Sequence, residues 1–223
     1  SNFMSLELKK RIITSLILLI LLAAMYLYSF IMMISLIVIA MIIWIEFYAL
    51  ISKIIRKDSM KDKFFRFLCK TVSLLYLSLL VGYIFLIESN YYNLKIYLLY
   101  CMLIAVMSDV GGLLFGKIFK GKKLTTISPN KTISGAIGSF IFSLMLIPLF
   151  HNELINYNFL ILTLITILIS LTSQLGDLFI SYLKRKAHVK DTSDILPGHG
   201  GFLDRTDGII FAVPVGLLLF NFL

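Results

Sequence analysis

The sequence has little charge and little cysteine, and each shortage excludes a class of protein. Asp, Glu, Lys and Arg make up 15% of the 223 residues, against roughly 25% in an ordinary soluble domain. That is too little charge to cover a soluble surface, which excludes a soluble globular enzyme. The apolar content of 59% excludes a disordered chain. With only two cysteines, Cys69 and Cys101, a disulfide framework and a thiolate metal site are also excluded.

The apolar residues are grouped into runs that are long enough to cross a membrane. A helix needs about 20 residues, at a rise of 1.5 Å per residue, to cross the hydrocarbon core. No linker rich in Pro, Gly or Ser divides the chain. We therefore predict an all-α polytopic membrane protein with about seven transmembrane helices, or eight or nine if the short or basic stretches add to the count. The runs cover residues 12–29, 31–51, 71–88, 95–116, 133–150, 158–183 and 208–223.

The positive charges lie on one side of this predicted bundle. If seven spans alternate, 20 of the 21 Lys and Arg residues share one side, and only Lys95 lies on the other. Cytoplasmic loops of membrane proteins carry an excess of Lys and Arg, so we expect the N-terminus and the basic loops to be cytoplasmic. The net charge of +9 then needs no nucleic acid as a partner. The basic clusters occupy residues 9–11, 53–70, 117–131 and 184–205.

Carboxylates interrupt three of the predicted spans. Asp109 lies late in the fourth span and Asp177 lies deep in the sixth. Because a carboxylate at such depth costs roughly 2.5–3.5 kcal/mol on insertion scales, these residues predict a polar cavity that faces the cytoplasm in the C-terminal half. The alternative is a polar contact between helices. Glu46, beside Trp44 in the second span, fits an interfacial position equally well.

A loop rich in glycine and lysine is predicted between the fourth and fifth spans. It begins Gly116-Lys117, and residues 128–132 are Ser-Pro-Asn-Lys-Thr. Glycine lets the backbone approach a phosphate and lysine supplies positive charge. Thr132 or Ser134 is expected to cap the helix that follows. An ordinary topogenic basic loop is the alternative, and the spacing of a Walker phosphate-binding loop is absent.

A second predicted loop, residues 181–207, is more specific. Pro197-Gly198 predicts a turn, and Gly200-Gly201 leaves backbone amides accessible. Asp204 and Asp207 are three residues apart, so a helix that starts here places both on one face. Carboxylates beside Lys and Arg suit Mg²⁺ with a phosphate substrate, although acids at a helix N-terminus are the alternative. His199 is a candidate acid, base or phosphate donor, or a neutral turn residue.

This second loop resembles the signature of the phosphatidate cytidylyltransferases, also called CDP-diacylglycerol synthases. The pattern is Ser-x-aliphatic-Lys-Arg, four residues, Lys-Asp, then Pro-x-His-Gly-Gly-x-x-Asp-Arg-x-Asp. Every fixed position is present between Ser181 and Asp207. The similarity extends to residues 174–178, to Asp109 with Gly116-Lys117, and to residues 128–132. It covers roughly residues 105–210, while the N-terminal spans match only in being hydrophobic.

The resemblance implies a reaction in phospholipid biosynthesis: CTP and phosphatidic acid give CDP-diacylglycerol and pyrophosphate. It implies a Mg²⁺-dependent nucleotidyltransferase, with K⁺ as a candidate second cation. We accordingly expect an integral protein of the bacterial cytoplasmic (inner) membrane, in contact with membrane lipids, with a homodimer as its usual assembly. The chain is then one membrane domain, 1–223, with N-terminal spans in 4–90 and a catalytic half in 91–223.

The resemblance also assigns roles to residues, and two positions depart from the family. A Glu that usually follows one turn after Asp177 is Ile180 here, and the Glu of the Lys-Thr-x-Glu-Gly stretch is Ser134, so the expected site lacks two acids. The implied metal ligands are Asp177, Asp204, Asp207 and Asp109. The implied catalytic residues are Asp177, Asp204, Lys184, Arg185 and Arg205. The implied substrate-binding residues are Lys117, Ser128, Lys131, Thr132, Lys190, His199, Gly200 and Gly201.

Two other functions fit parts of the sequence. The intramembrane carboxylates also suit a transporter of an anionic substrate, although charged residues crowd into the second half and one side of the chain. Another CTP-dependent lipid enzyme, such as a polyprenol kinase, would use the same basic loops.

Overall fold

A computed structural model describes residues 2–57, 59–90, 94–126, 128–129, 131–154 and 156–222. These residues form helices and connecting loops, as expected from the long apolar runs. Asn130 of the first predicted loop lies outside the described residues. The helices are α1 (Asn2–Leu27), α2 (Ser29–Ile54), α3 (Met60–Asn90), α4 (Leu94–Phe119), α5 (Ile133–Leu144), α6 (Ile147–Phe150), α7 (Phe159–Lys186), α8 (Leu203–Thr206) and α9 (Ile209–Phe222).

Six stretches of helix are long and apolar enough to cross a membrane, which confirms the prediction of an all-α polytopic membrane protein. They are Leu8–Leu27, Ser29–Ile54, Met60–Ser89, Lys95–Phe119, Ile133–Phe150 and Phe159–Lys186. The seventh apolar run forms α9, whose 14 residues reach only about 21 Å at 1.5 Å per residue. The described part of the chain contains no eighth or ninth span.

Two stretches that we predicted as loop are helical. Helix α4 continues beyond the predicted end of its span at residue 116 to Phe119, and α7 continues beyond residue 183 to Lys186. Basic residues in the last turn of a helix interact favourably with its C-terminal carbonyl groups. The last turn of α4 contains Lys117, and that of α7 contains Lys184, Arg185 and Lys186. The predicted start of the last span is also interrupted, since α8 ends at Thr206 and α9 begins at Ile209.

The chain divides into two compact units, which we describe separately. The first contains residues 1–92 and 183–205. Its core includes Met32, Ile43 and Leu50 of α2, which are 2–4% exposed. Helix α2 is tied to α3 by Trp44, whose indole N–H donates to the carbonyl of Lys70 at 3.0 Å. The ammonium of Lys70 also lies 5.3 Å from the centre of the Trp44 ring, a cation–π contact.

The second unit contains residues 93–182 and 206–223. Its helices α4 and α5 approach closely because glycines meet at the contact: a Cβ placed at Gly138 would lie 2.4 Å from the Cβ of Phe115. Deeper in this unit, the hydroxyl of Ser108 lies 2.8 Å from that of Ser143 and 2.7 Å from that of Ser170. Small residues and buried hydroxyl pairs are the usual means of joining helices in a membrane.

We expect Gly138→Ala to destabilise the second unit. The added methyl group has no room at the α4–α5 contact, and overpacking of this kind costs roughly 1–3 kcal/mol. The midpoint of thermal unfolding in detergent should fall by several degrees. Gly82→Ala is the matched control, because a Cβ there would have no neighbour within 4 Å. Equal midpoints for the two variants would contradict the close α4–α5 packing.

Candidate functional site

The loop of residues 187–202, which follows α7 in the first unit, has a compact turn at its centre. The amide of Leu196 donates to the carbonyl of Gly200 at 2.8 Å, and the amide of Gly200 donates back at 3.1 Å. Gly198 and Gly200 have φ values of +76° and +82°, which L side chains rarely adopt. The turn predicted from Pro197-Gly198 is confirmed, and the Gly200 amide is engaged within it.

The carboxylate of Asp204 lies against this loop, with four donor atoms within hydrogen-bond distance. One oxygen, Oδ1, accepts from the ammonium of Lys184 at 2.7 Å. The other, Oδ2, accepts from the amides of Thr192 at 2.7 Å and Gly201 at 3.0 Å, and it lies 3.0 Å from the Thr192 hydroxyl, whose one proton is shared with Glu46. The side chain of Asp204 is 4% exposed. The second amide of the Gly200-Gly201 pair thus also has an internal acceptor.

These contacts set the charge of Asp204. Burial by itself raises the pKa of the carboxyl group. The hydrogen bonds from Lys184 and from the amides of Thr192 and Gly201 outweigh burial, so the pKa lies below its ordinary value. Asp204 is therefore ionised near neutral pH, and it is held as a fixed negative charge beside a fixed positive one.

Glu46 is a component of the site that the sequence analysis did not identify. It lies in α2 and is 2% exposed, and its carboxylate accepts hydrogen bonds from residues of the signature. Oε1 accepts from the hydroxyl of Ser193 at 2.5 Å and from the amide of Phe202 at 3.1 Å. Oε2 accepts from the hydroxyl of Thr192 at 3.1 Å and from the amide of Leu203 at 2.7 Å. The carboxylate in an apolar run was the available signal, but its partners lie more than 140 positions away.

The turn of the loop also makes contacts with α1. The hydroxyl of Thr14 donates to the carbonyl of Pro197 at 3.0 Å, and that of Ser15 lies 3.3 Å from Nε2 of His199. The guanidinium of Arg205 donates from Nε and Nη2 to the carbonyl of His199, at 2.9 and 2.6 Å. Arg205 thus braces the turn, and its predicted contact with phosphate stays a prediction. The same holds for His199.

In the second unit, the structure brings together two residues that we had assigned to different ligands. The ammonium of Lys131 forms an ion pair with Oδ2 of Asp177, while the hydroxyl of Ser181 donates to Oδ1 at 3.3 Å. Both side chains of the ion pair are about a quarter exposed. Thr132 is the N-cap of α5 and its hydroxyl accepts from the amide of Gly135 at 3.1 Å, which confirms the predicted cap.

The structure shows the surroundings of Ile180 and Ser134, the two residues that depart from the family pattern. Ile180 is 1% exposed, so an apolar side chain fills the position that usually carries an acid. The hydroxyl of Ser134 donates to the carbonyl of Lys120. Neither position supplies a carboxylate.

The remaining predicted residues have varied surroundings, and their roles stay predictions. Asp207 is 8% exposed, and its Oδ1 accepts from the amide of Gly208 at 2.9 Å. Ser128 is half-buried and accepts at its carbonyl from the amide of Lys131. The exposed members of the set are Asp109, Lys117, Arg185 and Lys190. Within the described ranges, no group of three or more His, Cys, Asp or Glu side chains could hold a metal ion.

Comparison with known proteins gives one family and a consistent set of relatives. The model of the family described as the cytidylyltransferase family matches residues 4–223. The phosphatidate cytidylyltransferase of Staphylococcus saprophyticus is 41% identical over 138 residues, which make up 60% of this chain and 52% of the relative. That of Staphylococcus haemolyticus is 46% identical over 122 residues, or 53% and 46% of the two chains. That of Staphylococcus aureus is 43% identical over 138 residues, again 60% and 52%.

These matches confirm the resemblance that the signature indicated. The chain spans about half the length of the curated relatives it matches.

We expect Asp204 to contribute stability near neutral pH that is lost in acid. Because its pKa is lower in the folded than in the unfolded protein, the contribution is complete above the ordinary Asp value of about 3.9 and is lost as the pH falls through the lower, folded value. In buffer with EDTA, Asp204→Asn should therefore lower the midpoint of thermal unfolding most near neutral pH, and less below about pH 4. Asp194→Asn, at an exposed position of the same loop, is the control. An effect of Asp204→Asn that does not change with pH would contradict the assignment.

Proposed function

The chain belongs to the cytidylyltransferase family, and we propose that it transfers the cytidylyl group of CTP to phosphatidic acid, forming CDP-diacylglycerol and pyrophosphate. The relatives named phosphatidate cytidylyltransferase support this substrate pair. The observation that carries the proposal is the signature segment itself. Each of its fixed residues is present, and they include a buried carboxylate, Asp204, that is paired with the signature lysine, Lys184.

The chemistry of the segment suits two polyanionic substrates. Lys184, Arg185 and Arg205 supply positive charge for phosphates, and Lys131 supplies it in the second unit. In the proposed reaction, a phosphatidate oxygen attacks the α-phosphorus of CTP as the bond to pyrophosphate breaks. The protein contributes by positioning the phosphates and neutralising their charge.

We propose Mg²⁺ as the cofactor, with Asp204 as the ligand that the first unit offers, and with Asp177, Asp207 and Asp109 as the candidates in the second unit. The donor chemistry fits, because carboxylate and phosphate oxygens are the ligands that Mg²⁺ prefers. Within the described residues, Oδ1 of Asp204 accepts only from Lys184, and a carboxylate oxygen has two lone pairs, so this oxygen retains acceptor capacity. When bound, the cation would stabilise negative charge on the reacting phosphates. K⁺ as a second cation stays a prediction.

The protein is an integral membrane protein, and we propose the bacterial cytoplasmic membrane as its location, with the N-terminus in the cytoplasm. The asymmetry of Lys and Arg supports this orientation. It places the signature segment on the side where CTP is available and next to the bilayer that supplies the lipid substrate. A homodimer is proposed on the resemblance alone.

We expect the purified protein in detergent to convert CTP and phosphatidic acid into CDP-diacylglycerol when Mg²⁺ is present. Asp204→Asn should lower the rate by at least about 100-fold, since it removes a carboxylate that is proposed to hold the Mg²⁺ needed by the reacting phosphates. Asp194→Asn, the same exchange at an exposed position of the same loop, should leave the rate unchanged. Product identification by thin-layer chromatography and mass spectrometry measures the outcome.

A preparation that is folded but indifferent to CTP or to Mg²⁺ would refute the proposal. Replacement of phosphatidic acid by a polyprenol distinguishes a polyprenol kinase, which would phosphorylate that acceptor. Uptake of an anionic substrate into liposomes without nucleotide turnover would favour a transporter.

A further inference from the structure

Glu46 has contacts that the proposed reaction does not account for. It lies in α2, eight residues before the end of that helix at Ile54, and is 2% exposed. A buried carboxylate is tolerated only where hydrogen-bond donors replace water. All four donors to Glu46 come from residues 192–203, which belong to the signature segment.

The hydrogen-bond donors around the Glu46 carboxylate limit what else this carboxylate can bind. An ionised carboxylate has about four lone-pair sites, and each oxygen of Glu46 has two donors within 3.1 Å. Ser193, Phe202 and Leu203 fill three of these sites, and the Thr192 hydroxyl, which Glu46 shares with Asp204, lies at the fourth, so the loop covers the positions that a metal ion would take. Glu46 therefore acts through the loop that it holds.

Thr192 links Glu46 to Asp204. Its hydroxyl lies 3.1 Å from Oε2 of Glu46 and 3.0 Å from Oδ2 of Asp204, while its amide donates to the same Asp204 oxygen at 2.7 Å. The packing leaves no room for a side chain at Gly201, since a Cβ there would lie 2.2 Å from the Thr192 hydroxyl and 2.7 Å from Glu46. The position of one carboxylate thus fixes that of the other.

We infer that Glu46 is a positioning residue for the cytidylyl-transfer site: it fixes the loop of residues 187–202 and, through Thr192, orients the carboxylate of Asp204. This inference rests on the proposed function for its catalytic consequence. The structural part, that Glu46 holds the loop in place, can be tested without any activity.

The bonding pattern makes glutamine a severe substitution. Each carboxylate oxygen accepts from one backbone amide, that of Phe202 or that of Leu203. Either orientation of a glutamine side chain therefore points its NH₂ group at a backbone N–H. A merely polar position would tolerate Glu46→Gln, whereas this one would not.

The test compares Glu46→Gln and Thr192→Val with two controls. Thr192→Ser keeps the hydroxyl and should behave like the wild type. Glu88→Gln removes a carboxylate that accepts from Ser29 at 2.6 Å in the same unit, and it should be active. Loss of a group that orients a metal ligand typically costs 10- to 100-fold in activity or metal affinity. Glu46→Gln and Thr192→Val should lower kcat by about that factor and raise the Mg²⁺ concentration for half-maximal rate, with the KM for CTP within about threefold of wild type.

Limited trypsin digestion provides the readout that needs no activity. Trypsin can cleave after Lys190 only when the loop of residues 187–202 has detached from Glu46. The cleavage rate therefore follows the population of the open loop. Glu46→Gln should speed this cleavage by about tenfold or more, whereas Glu88→Gln should not. If the wild type transfers no cytidylyl group, the proposed function fails, and digestion still decides whether Glu46 holds the loop. Unchanged digestion of Glu46→Gln would overturn the inference. Faster digestion with normal kcat and Mg²⁺ dependence would overturn the positioning role.

Discussion

A carboxylate held away from water must be surrounded by hydrogen-bond donors, and this constraint organises the first unit. Glu46 and Asp204 are both buried, and seven donor groups surround the two carboxylates, with the hydroxyl of Thr192 shared between them. Backbone amides and hydroxyls of one loop supply all of these donors except the ammonium of Lys184 and the Leu203 amide. The loop consequently has no freedom to rearrange without leaving a buried charge without donors, which is among the costliest changes in a protein.

The local sequence of the loop makes this arrangement attainable. Gly198 and Gly200 adopt backbone conformations that disfavour side chains, and Gly201 leaves room for the carboxylate of Glu46 and the hydroxyl of Thr192, with which any Cβ would collide. The final turn of α7 then brings Lys184 to Asp204. Lys184, Gly200, Gly201 and Asp204 are fixed positions of the signature, while Gly198 occupies a variable one. In this chain, therefore, the motif encodes a folded loop as well as groups for substrates.

The sequence predicted the features that depend on local pattern. Long apolar runs predicted the spanning helices, Pro197-Gly198 predicted the turn, and Thr132 was one of the two residues expected to cap α5. Features that depend on distant partners could not be predicted. Glu46 is separated from Thr192 by 146 positions, so nothing near it in sequence indicates what it binds. We assigned Lys184 and Lys131 to phosphates. In the structure Lys184 forms an ion pair with Asp204 and Lys131 forms one with Asp177, because a carboxylate and an ammonium attract one another wherever the fold brings them together.

The fate of the two ends of CTP tests most directly whether the signature segment serves cytidylyl transfer. The protein would be supplied with Mg²⁺ and phosphatidic acid, and with CTP labelled either at the α- or at the γ-phosphorus. Cytidylyl transfer predicts that α-label enters the lipid product while γ-label leaves as pyrophosphate. Transfer of γ-label to the lipid, with α-label remaining in free nucleotide, would show a kinase and would contradict the account.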